Sequence, residues 1–377
     1  MQNVFIYPGA LFELKEIINK LGCSRIFLVS GKKSFELSGA HKIIEKLTSG
    51  LQVIRFSDFH TNPDWEDVKN GITVFNESHS DVILSVGGGS VIDMAKLINY
   101  YSTKKEGISE ADYLNRSFYP VTHICIPTTA GSGSEATHFA VMYFGTEKYS
   151  IAHNNLKPQY VMIDPDLHYD QTPYQKAVSG IDAFSQAIES FWSVNSTEES
   201  RIYALRAMNL IWNYLAMAVN NADKTAHLQV AVGAYLAGKA INISKTTAPH
   251  ALSYSFTKRL GIPHGHAVAL SLPFFINVHI NAMNHECNAK CNVEHLLASM
   301  QVMSDCLGVD MEVFDLSVRE FIDNIGITLN LCELNVSEEQ FFEIVKATNT
   351  ERLNNNPTKV DSNTYSQLYK YLNTNRA

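Results

Sequence analysis

The chain has 377 residues, of which 45% are hydrophobic and 18% are charged, a composition typical of a soluble globular protein and long enough that we expect two domains. Its formal net charge of −8 excludes nucleic acid as the expected partner, because no basic excess is present to displace counterions from phosphates. No apolar run approaches membrane-spanning length, and the six scattered cysteines favour reduced thiols in a cytoplasm over a disulfide framework.

In the first half of the chain, apolar runs suited to buried strands alternate with helical patterns. After a strand-like start at residues 4–7, the predicted strands cover residues 25–30, 52–56, 81–86, 123–126 and 160–163. The predicted helices between them cover residues 10–21, 38–47, 64–79 and 91–101. This alternation predicts a doubly wound, Rossmann-like parallel sheet that binds its ligands at the carboxyl ends of the strands.

Three consecutive glycines, Gly87, Gly88 and Gly89, follow the predicted strand 81–86, and a helical pattern begins at Ser90. Glycines allow a backbone turn to approach a bulky anion, and a helix N-terminus offers unpaired N–H groups to a phosphate. The pattern indicates a pyrophosphate site, although it has neither the G-x-G-x-x-G nor the P-loop form. A tight turn that needs glycine only for packing is the alternative. A second loop rich in glycine and hydroxyls, residues 128–135, leaves the strand 123–126.

The pattern changes at Thr172 and Pro173, a capping residue followed by a proline suited to the first helical turn. Helical periods then continue to the C-terminus, at residues 174–192, 198–219, 226–243 and 247–259 and from residue 266 onward. We therefore predict an α/β domain at residues 1–172 and an all-α domain at residues 173–377, with the active site in the cleft between them.

Four polar side chains of the second half are spaced to hold a metal ion. Asp182 and Gln186 lie four residues apart and project from one helical face, while His250 and His264 lie on a helix and beside a Pro/Gly turn. One carboxylate and two imidazoles that converge would bind a divalent metal and leave positions open for substrate. Hydrogen-bonded histidines and a helix-surface Asp are the alternative.

A second cluster of potential zinc ligands occurs at His285, Cys287, Cys291 and His295. The last three would share one helical face at i, i+4 spacing, which admits a zinc site. The surrounding sequence is polar and rich in Asn, and His285 lies off that face, so we predict no metal there.

Four ordered motifs resemble the iron-dependent (group III) alcohol dehydrogenases along nearly the whole chain. They are GGGSxxDxxK from Gly87, PTTAGSGSE from Pro127, GxDA from Gly180 and PHG from Pro263. The resemblance implies a dehydroquinate synthase-like architecture and NAD(P)-dependent interconversion of alcohols with aldehydes or ketones. It also implies a dinucleotide-binding N-terminal domain and a helical domain that holds metal and substrate, and we expect a homodimer.

The resemblance assigns the cofactor to the glycine-rich loops and to Asp93 and Lys148, which would bond the cofactor and reach a ribose. Thr128 and Thr129 would line the nicotinamide side. The full expected cofactor set is Gly31, Gly87, Gly88, Gly89, Ser90, Asp93, Thr128, Thr129, Ser132 and Lys148.

The chain departs from the family at two positions of the metal site. Gln186 stands where the family usually has a His, and its neutral carbonyl oxygen is a weaker ligand. Tyr254 stands where the family often has a second His, four residues after His250. A proton relay through a histidine is therefore in doubt at this position, and Tyr254 is either a proton donor or a structural residue. We expect Asp182, His250 and His264 to be the catalytic residues and, with Gln186, the ligands of Fe²⁺ or Zn²⁺.

Cofactor choice is predicted from Gly31, which stands where NAD-preferring relatives carry an Asp that would bond the ribose 2′-OH and repel a 2′-phosphate. Lys32 and Lys33 follow it. A roomy, cationic site favours NADPH over NADH, whereas lysines that are merely solvated are the alternative.

Substrate choice is predicted from Lys245, which lies five residues before His250, is flanked by three hydroxyls and stands at what we predict to be a helix start. Hydroxyls, helix N–H groups and an ammonium form an anion site. This stretch and residues 189–196 resemble the branch that reduces phosphonoacetaldehyde to 2-hydroxyethylphosphonate, with Lys245 and Tyr254 as substrate residues. A solvated lysine is the alternative.

The expected function is NAD(P)H-dependent, metal-assisted reduction of a short, anionic aldehyde to a primary alcohol. A general short-chain alcohol or polyol dehydrogenase is the first alternative. A dehydroquinate synthase-like lyase fits less well, because its full set of Lys and Arg residues is not found. A non-catalytic binding protein would follow if Gln186 abolished metal binding.

Overall fold

The computed structural model describes residues 2–103, 120–145, 147–221, 223–348 and 350–373. The chain divides into two compact units, Met1–Gln171 and Thr172–Ala377. In the described residues, every strand belongs to the first unit, and the second unit is helical. The predicted fold class, an α/β unit followed by an all-α unit, is confirmed.

The first unit is built on a six-stranded parallel sheet with the strand order β1-β8-β5-β4-β2-β3. Strand β2 pairs with β3 on one side and with β4 on the other, so the winding direction reverses between β2 and β4. In doubly wound sheets such a reversal opens a ligand-binding crevice at the carboxyl ends of the two strands. The strands are β1 Asn3–Ile6, β2 Arg25–Ser30, β3 Gln52–Phe56, β4 Val82–Gly87, β5 Thr122–Pro127 and β8 Tyr160–Ile163.

Helices cover both faces of this sheet, as the alternation of buried side chains along β2 shows. Ile26 and Leu28 pack into one hydrophobic core, whereas Phe27 and Val29 pack into a second core. A strand that is buried on both faces reads as a continuous apolar run, which explains why its bounds were predictable. The helices of this unit are Glu13–Leu21, Ser34–Leu37, Ala40–Leu47, Trp65–Ser78, Gly89–Ser102 and Asp166–Tyr169, with 3-10 turns at Ala10–Phe12, Ser134–Ala136 and Asn154–Leu156.

The first unit also contains an antiparallel hairpin that was not predicted, β6 Phe139–Phe144 and β7 Glu147–Ala152. Its sequence signal is weak because β6 is only half-buried and reads as a short mixed run. Gly145 adopts a φ of 59° between the strands, a conformation that costs glycine little. The hairpin carries Lys148, one of the predicted cofactor residues.

The second unit begins where the capping signal predicted. The Thr172 side chain accepts a hydrogen bond from the Gln175 backbone N–H, with Pro173 in the first turn. Among the described helices, none is both long and apolar enough to span a membrane. The helices are Pro173–Trp192, Glu198–Asn220, Lys224–Ser244, Ala248–Leu260, His264–Ala269, Leu272–Ile280, Val293–Leu307, Phe314–Asn324, Glu338–Lys346 and Ser362–Asn373, with 3-10 turns at Ala282–Asn284, Met311–Val313 and Thr350–Asn355.

Candidate functional site

The glycine triplet lies at the carboxyl end of β4, and the following helix begins at Gly89, one residue before the predicted start. A Cβ at Gly89 would lie 2.7 Å from the Ser132 hydroxyl oxygen, and one at Gly88 would lie 3.4 Å from Thr129 Oγ1. The two glycine-rich loops therefore pack against each other, and a side chain at position 89 would push against Ser132. The first turn of a helix offers unpaired N–H groups to an anion, and binding of a pyrophosphate at this turn stays a prediction.

The other hydroxyl residues of the cofactor set lie around this turn. The Thr128 backbone N–H donates to the Gly87 carbonyl over 3.0 Å, and Thr128 is buried. Ser90 Oγ accepts a hydrogen bond of 3.1 Å from the Asn62 backbone N–H, in the loop that follows β3. The structure thus brings three loops of the first unit together at the ends of β3, β4 and β5.

Asp93 holds neighbouring protein segments with both carboxylate oxygens. Ser134 Oγ donates to Asp93 Oδ1 over 2.5 Å, and the Val141 backbone N–H donates to Asp93 Oδ2 over 3.0 Å. Burial raises the pKa of Asp93, against the opposing charges of Lys96 and Lys148. Lys148 therefore lies near Asp93, as the cofactor set requires, while the bond from Asp93 to the cofactor stays a prediction.

Lys96, on the Gly89–Ser102 helix, is a buried residue next to the site to which the sequence analysis gave no role. Its fully buried ammonium lies 2.6 Å from the Ser134 carbonyl oxygen, 3.0 Å from that of Thr137 and 2.9 Å from that of Phe139. Burial lowers the pKa of Lys96, and the nearby Asp93 carboxylate opposes that shift. The Asp-x-x-Lys spacing was the available signal, and Lys96 anchors the loop beside the glycine triplet.

Gly31 directly follows β2, on one side of the sheet crevice. The Lys32 ammonium, which follows it, forms an exposed ion pair of 2.6 Å with Asp58. Exposed ion pairs of this kind contribute little stability, about 0–1 kcal/mol, and rearrange easily. Lys32 is therefore not a fixed cation at this position.

Three of the four predicted metal ligands meet in the second unit. Donor atoms of Asp182, His250 and His264 all lie within 4.8 Å of one another. Asp182 Oδ1 lies 3.2 Å from His250 Nε2 and 3.9 Å from His264 Nε2. In the described part of the chain, one other such group exists, the more exposed His60, Asp64 and Asp67.

Gln186 lies one helical turn beyond Asp182 and hydrogen-bonds to its carboxylate. Since an ionised carboxylate only accepts, the Gln186 amide nitrogen is the donor, and its carbonyl oxygen is the atom left to act as a ligand. Gln186 therefore supports Asp182 directly, whichever role its oxygen takes.

Glu189 is the residue of this site that sequence reasoning missed. It is fully buried, and its Oε1 is in hydrogen-bond contact with His250 Nδ1. Its Oε2 accepts from the Thr247 backbone N–H over 2.7 Å and from Thr247 Oγ1 over 2.9 Å. A carboxylate on one ring nitrogen fixes the orientation of the imidazole and leaves Nε2 directed at Asp182. The signal was the i, i+4, i+7 spacing of Asp182, Gln186 and Glu189 within an otherwise largely apolar helix.

His264 is held by residues of the Ala248–Leu260 helix. Its Nδ1 lies 3.3 Å from Ser253 Oγ, and the Tyr254 ring stacks on its imidazole with centroids 5.1 Å apart. The structure therefore places Tyr254, a predicted substrate residue, against a predicted metal ligand. That the Tyr254 phenol donates a proton stays a prediction.

The electrostatics of the cluster suit a cation. Burial alone would raise the pKa of Asp182, but the His250 hydrogen bond and the charge of His264 lower it overall. Burial would likewise lower the pKa of His250, but Glu189 and Asp182 raise it to about 9. Two buried carboxylates thus demand positive charge at this point. One carboxylate, two imidazoles and an amide oxygen fit Fe²⁺ or Zn²⁺.

Gly265 sets the distance between His264 and Asp182. A Cβ there would lie 1.8 Å from the Val178 carbonyl oxygen and 3.1 Å from Asp182 Cβ. We expect Gly265→Ala to push the two helices apart, to lower the free energy of unfolding by about 1–3 kcal/mol and to weaken Zn²⁺ binding. Urea unfolding and Zn²⁺ titration of the metal-free protein measure both effects.

The matched control for this prediction is Gly261→Asn. Gly261 has a φ of 68° and nothing within 4 Å of its Cβ position, and Asn tolerates the left-handed conformation. Equal Zn²⁺ affinity in Gly265→Ala and the wild type would contradict the assigned role of Gly265.

Lys245 is exposed, but its predicted position at a helix start is wrong. It caps the C-terminus of the Lys224–Ser244 helix with φ 61° and ψ 176°, and the next helix begins only at Ala248. Pro249 explains the later start, because its fixed φ and missing N–H suit the first helical turn.

The expected shared helical face of Cys287, Cys291 and His295 is also wrong. Cys287 forms an isolated β-bridge with Thr358, and the helix begins only at Val293. His295 instead hydrogen-bonds with Arg201. Among the described residues, His285, Cys287, Cys291 and His295 are not among the groups whose donor atoms converge on one point.

Two family models match this chain, and between them they span most of it. The model of the iron-containing alcohol dehydrogenases matches residues 2–165. The C-terminal model of the Fe-containing alcohol dehydrogenase family matches residues 176–372.

Individual relatives are similar over most of their length. Long-chain-alcohol dehydrogenase 1 of Geobacillus thermodenitrificans is 31% identical over 274 residues, which are 71% of this chain and 69% of that protein. The NAD-dependent methanol dehydrogenase of Bacillus methanolicus is 26% identical over 360 residues, 92% of this chain and 93% of that one. The structure of sulfoacetaldehyde reductase from Bifidobacterium kashiwanohense with NAD⁺ matches this chain with a TM-score of 0.86 and 28% sequence identity. The match covers 99% of this chain and 97% of the reductase chain.

Proposed function

The chain belongs to the iron-containing alcohol dehydrogenase family, and from that membership we propose that it reduces a short anionic aldehyde to a primary alcohol with NAD(P)H and a divalent metal. The observation that carries this proposal is the convergence of Asp182, His250 and His264. Asp182 and His250 are buried and His264 is half-buried, and such a group is costly unless its charges are paired or hold a cation.

The chain's own residues have distinct parts in this reaction. A divalent metal supplies Lewis-acid polarisation of a carbonyl oxygen when bound, and the nicotinamide supplies the hydride. Asp182, His250 and His264 provide the ligand atoms, and Glu189 fixes the His250 ring so that Nε2 is the ligating nitrogen. Tyr254, stacked on His264, provides the proton that the product oxygen requires.

The backbone of Lys245 supports the anionic substrate class. With φ 61° and ψ 176°, Lys245 occupies a region that is essentially restricted to glycine and costs about 1–3 kcal/mol. Such strain persists only where surrounding contacts enforce it, and it clusters at ligand-binding positions. Here the contacts are those of Thr247, which Glu189 holds from the metal-binding helix. We infer that Lys245 is kept in this conformation because its side chain binds the substrate anion.

The substrate and cofactor follow from this cation and from Gly31. A phosphonate or another tetrahedral anion is a partner that the exposed Lys245 ammonium would recognise. Similarity to a sulfoacetaldehyde reductase supports this class, because a sulfonate is also a tetrahedral anion. We propose phosphonoacetaldehyde as substrate and NADPH over NADH as cofactor, since Gly31 provides no carboxylate to repel a 2′-phosphate.

One assay tests this function. Purified enzyme loaded with Fe²⁺ or Zn²⁺ is given phosphonoacetaldehyde, sulfoacetaldehyde, succinic semialdehyde, glyceraldehyde and butanal, each with NADPH and with NADH. We expect net cofactor oxidation, with the highest kcat/KM for phosphonoacetaldehyde and NADPH. Equal values for butanal would favour a general short-chain alcohol dehydrogenase. If neither NADPH nor NADH is oxidised with any of the five aldehydes, the reductase function is rejected.

A further inference from the structure

We propose that Arg55 and Ser34 form the site that selects the 2′-phosphate of NADPH. This inference rests on the proposed nicotinamide-dependent function and deepens it by naming the residues that choose between the two cofactors. Arg55 was not among the expected cofactor residues, because it lies on a different strand from Gly31.

Arg55 lies on the edge strand β3, where it pairs in register with Leu28 of β2. Its Nε donates to Ser30 Oγ over 2.8 Å, and its Nη2 donates to the Gly31 carbonyl oxygen over 3.1 Å. The guanidinium also stacks on Phe35, 4.8 Å from the ring centroid. These contacts fix an exposed cation at the carboxyl end of β2, where doubly wound folds place the adenosine ribose.

Ser34 occupies the space that an acidic side chain at position 31 would need. A Cβ on Gly31 would lie 2.1 Å from Ser34 Oγ and 3.4 Å from Ser34 Cβ. Where a ribose-binding carboxylate would lie, this protein therefore has the Ser34 hydroxyl and, beside it, the Arg55 guanidinium. Both groups donate hydrogen bonds, and a phosphate accepts them at each of its oxygens, so this pair of donors suits a 2′-phosphate.

Lys32 is less suited to this role than Arg55. Its ammonium is paired with Asp58, an exposed carboxylate whose pKa is lowered by the hydrogen bond and the charge of Lys32. A phosphate would have to compete with Asp58 for Lys32, whereas the contacts of Arg55 go to a hydroxyl and to neutral carbonyl oxygens. A planar guanidinium also binds phosphate through two parallel hydrogen bonds, which an ammonium lacks.

Binding of two adenosine ligands that differ only in the 2′-phosphate tests the proposal without catalysis. We expect the wild type to bind adenosine 2′,5′-bisphosphate more tightly than adenosine 5′-monophosphate in isothermal titration calorimetry. Arg55→Met should lower the affinity for the bisphosphate by about 10- to 100-fold and change the affinity for the monophosphate by less than about threefold. Arg55→Lys keeps the positive charge but loses the paired N–H donors of the guanidinium, so its affinity for the bisphosphate should lie between those of the wild type and Arg55→Met.

Arg25→Met is the matched control, because Arg25 is an exposed arginine at the opposite, amino-terminal end of β2. It should leave both affinities unchanged. Urea unfolding of each variant shows whether loss of the Phe35 contact has affected folding, and Arg55→Lys keeps the test valid if Arg55→Met does not fold.

The outcomes separate this inference from the proposed function. Equal weakening of both ligands in Arg55→Met, or equal wild-type affinity for both, would overturn the role of Arg55 even if the enzyme reduces aldehydes with NADH. Selective loss of bisphosphate binding would support it even if no aldehyde on the panel is reduced. In kinetics, Arg55→Met should raise the KM for NADPH by about 10- to 100-fold and the KM for NADH by less than about threefold.

Discussion

Asp182→Ala is expected to lower kcat/KM for any accepted aldehyde by about 1,000-fold or more and to leave the purified protein without bound metal. Asp182 Oδ1 lies 3.2 Å from His250 Nε2 and 3.9 Å from His264 Nε2, and the Lewis acid that these residues would hold would contribute several kcal/mol to carbonyl reduction. Steady-state kinetics and metal analysis of the same samples measure both effects. A chelator should inactivate the wild type, and Fe²⁺ or Zn²⁺ should restore it.

Gln186→His is the matched comparison on the same helix face. It restores the ligand that the family usually has, so it should raise metal affinity, because imidazole is a better ligand than an amide oxygen. Full activity of Asp182→Ala, or wild-type activity after complete metal removal, would contradict a catalytic metal at Asp182, His250 and His264.

Lys245→Ala is expected to raise the KM for phosphonoacetaldehyde by about 100-fold while changing that for butanal by less than about threefold. The reason is the loss of one ammonium–anion pair, which contributes about 2–5 kcal/mol when the pair is desolvated. Measurement of kcat and KM for both aldehydes with the same cofactor checks this. Equal losses on charged and uncharged aldehydes would mean that Lys245 does not recognise the anion.

Lys245→Gly separates recognition from strain. It removes the same ammonium but permits φ 61° and ψ 176° without strain, so it should be more stable than Lys245→Ala by about 1–3 kcal/mol in urea unfolding. Its kinetics should match those of Lys245→Ala. Equal stabilities of the two variants would show that the backbone of Lys245 is not strained.

The central strands of the sheet could be predicted closely from the sequence because they are buried on both faces. The strands at Arg25–Ser30, Gln52–Phe56 and Tyr160–Ile163 have the predicted bounds, and the other predicted strands differ by one residue at each end. The hairpin of β6 and β7 was missed because half-buried strands have a weaker pattern. The order of the strands in the sheet depends on pairing between distant segments, which periodicity does not encode.

The site was only partly predictable, because several of its contacts also join residues that are distant in the sequence. Asp182 and Gln186 were found because helical spacing places them on one face, and His250 and His264 were found as two further imidazoles of the helical half, with His264 also lying in the PHG motif. Glu189 and Arg55 were missed, because Glu189 contacts a residue 61 positions away and Arg55 contacts one 25 positions away. No local pattern marks a carboxylate that acts on a distant imidazole, or a guanidinium that covers the end of a neighbouring strand.

Net hydride transfer from the cofactor to an aldehyde carbon is the step that every proposed role serves. Its most direct measurement uses NADPH that carries deuterium at the transferable position of the nicotinamide ring, with phosphonoacetaldehyde and metal-loaded enzyme. We predict one deuterium on the carbinol carbon of 2-hydroxyethylphosphonate for each NADPH oxidised. Conversion of substrate without net NADPH oxidation, or a product free of deuterium, would contradict a reductase and indicate a lyase that uses its cofactor transiently.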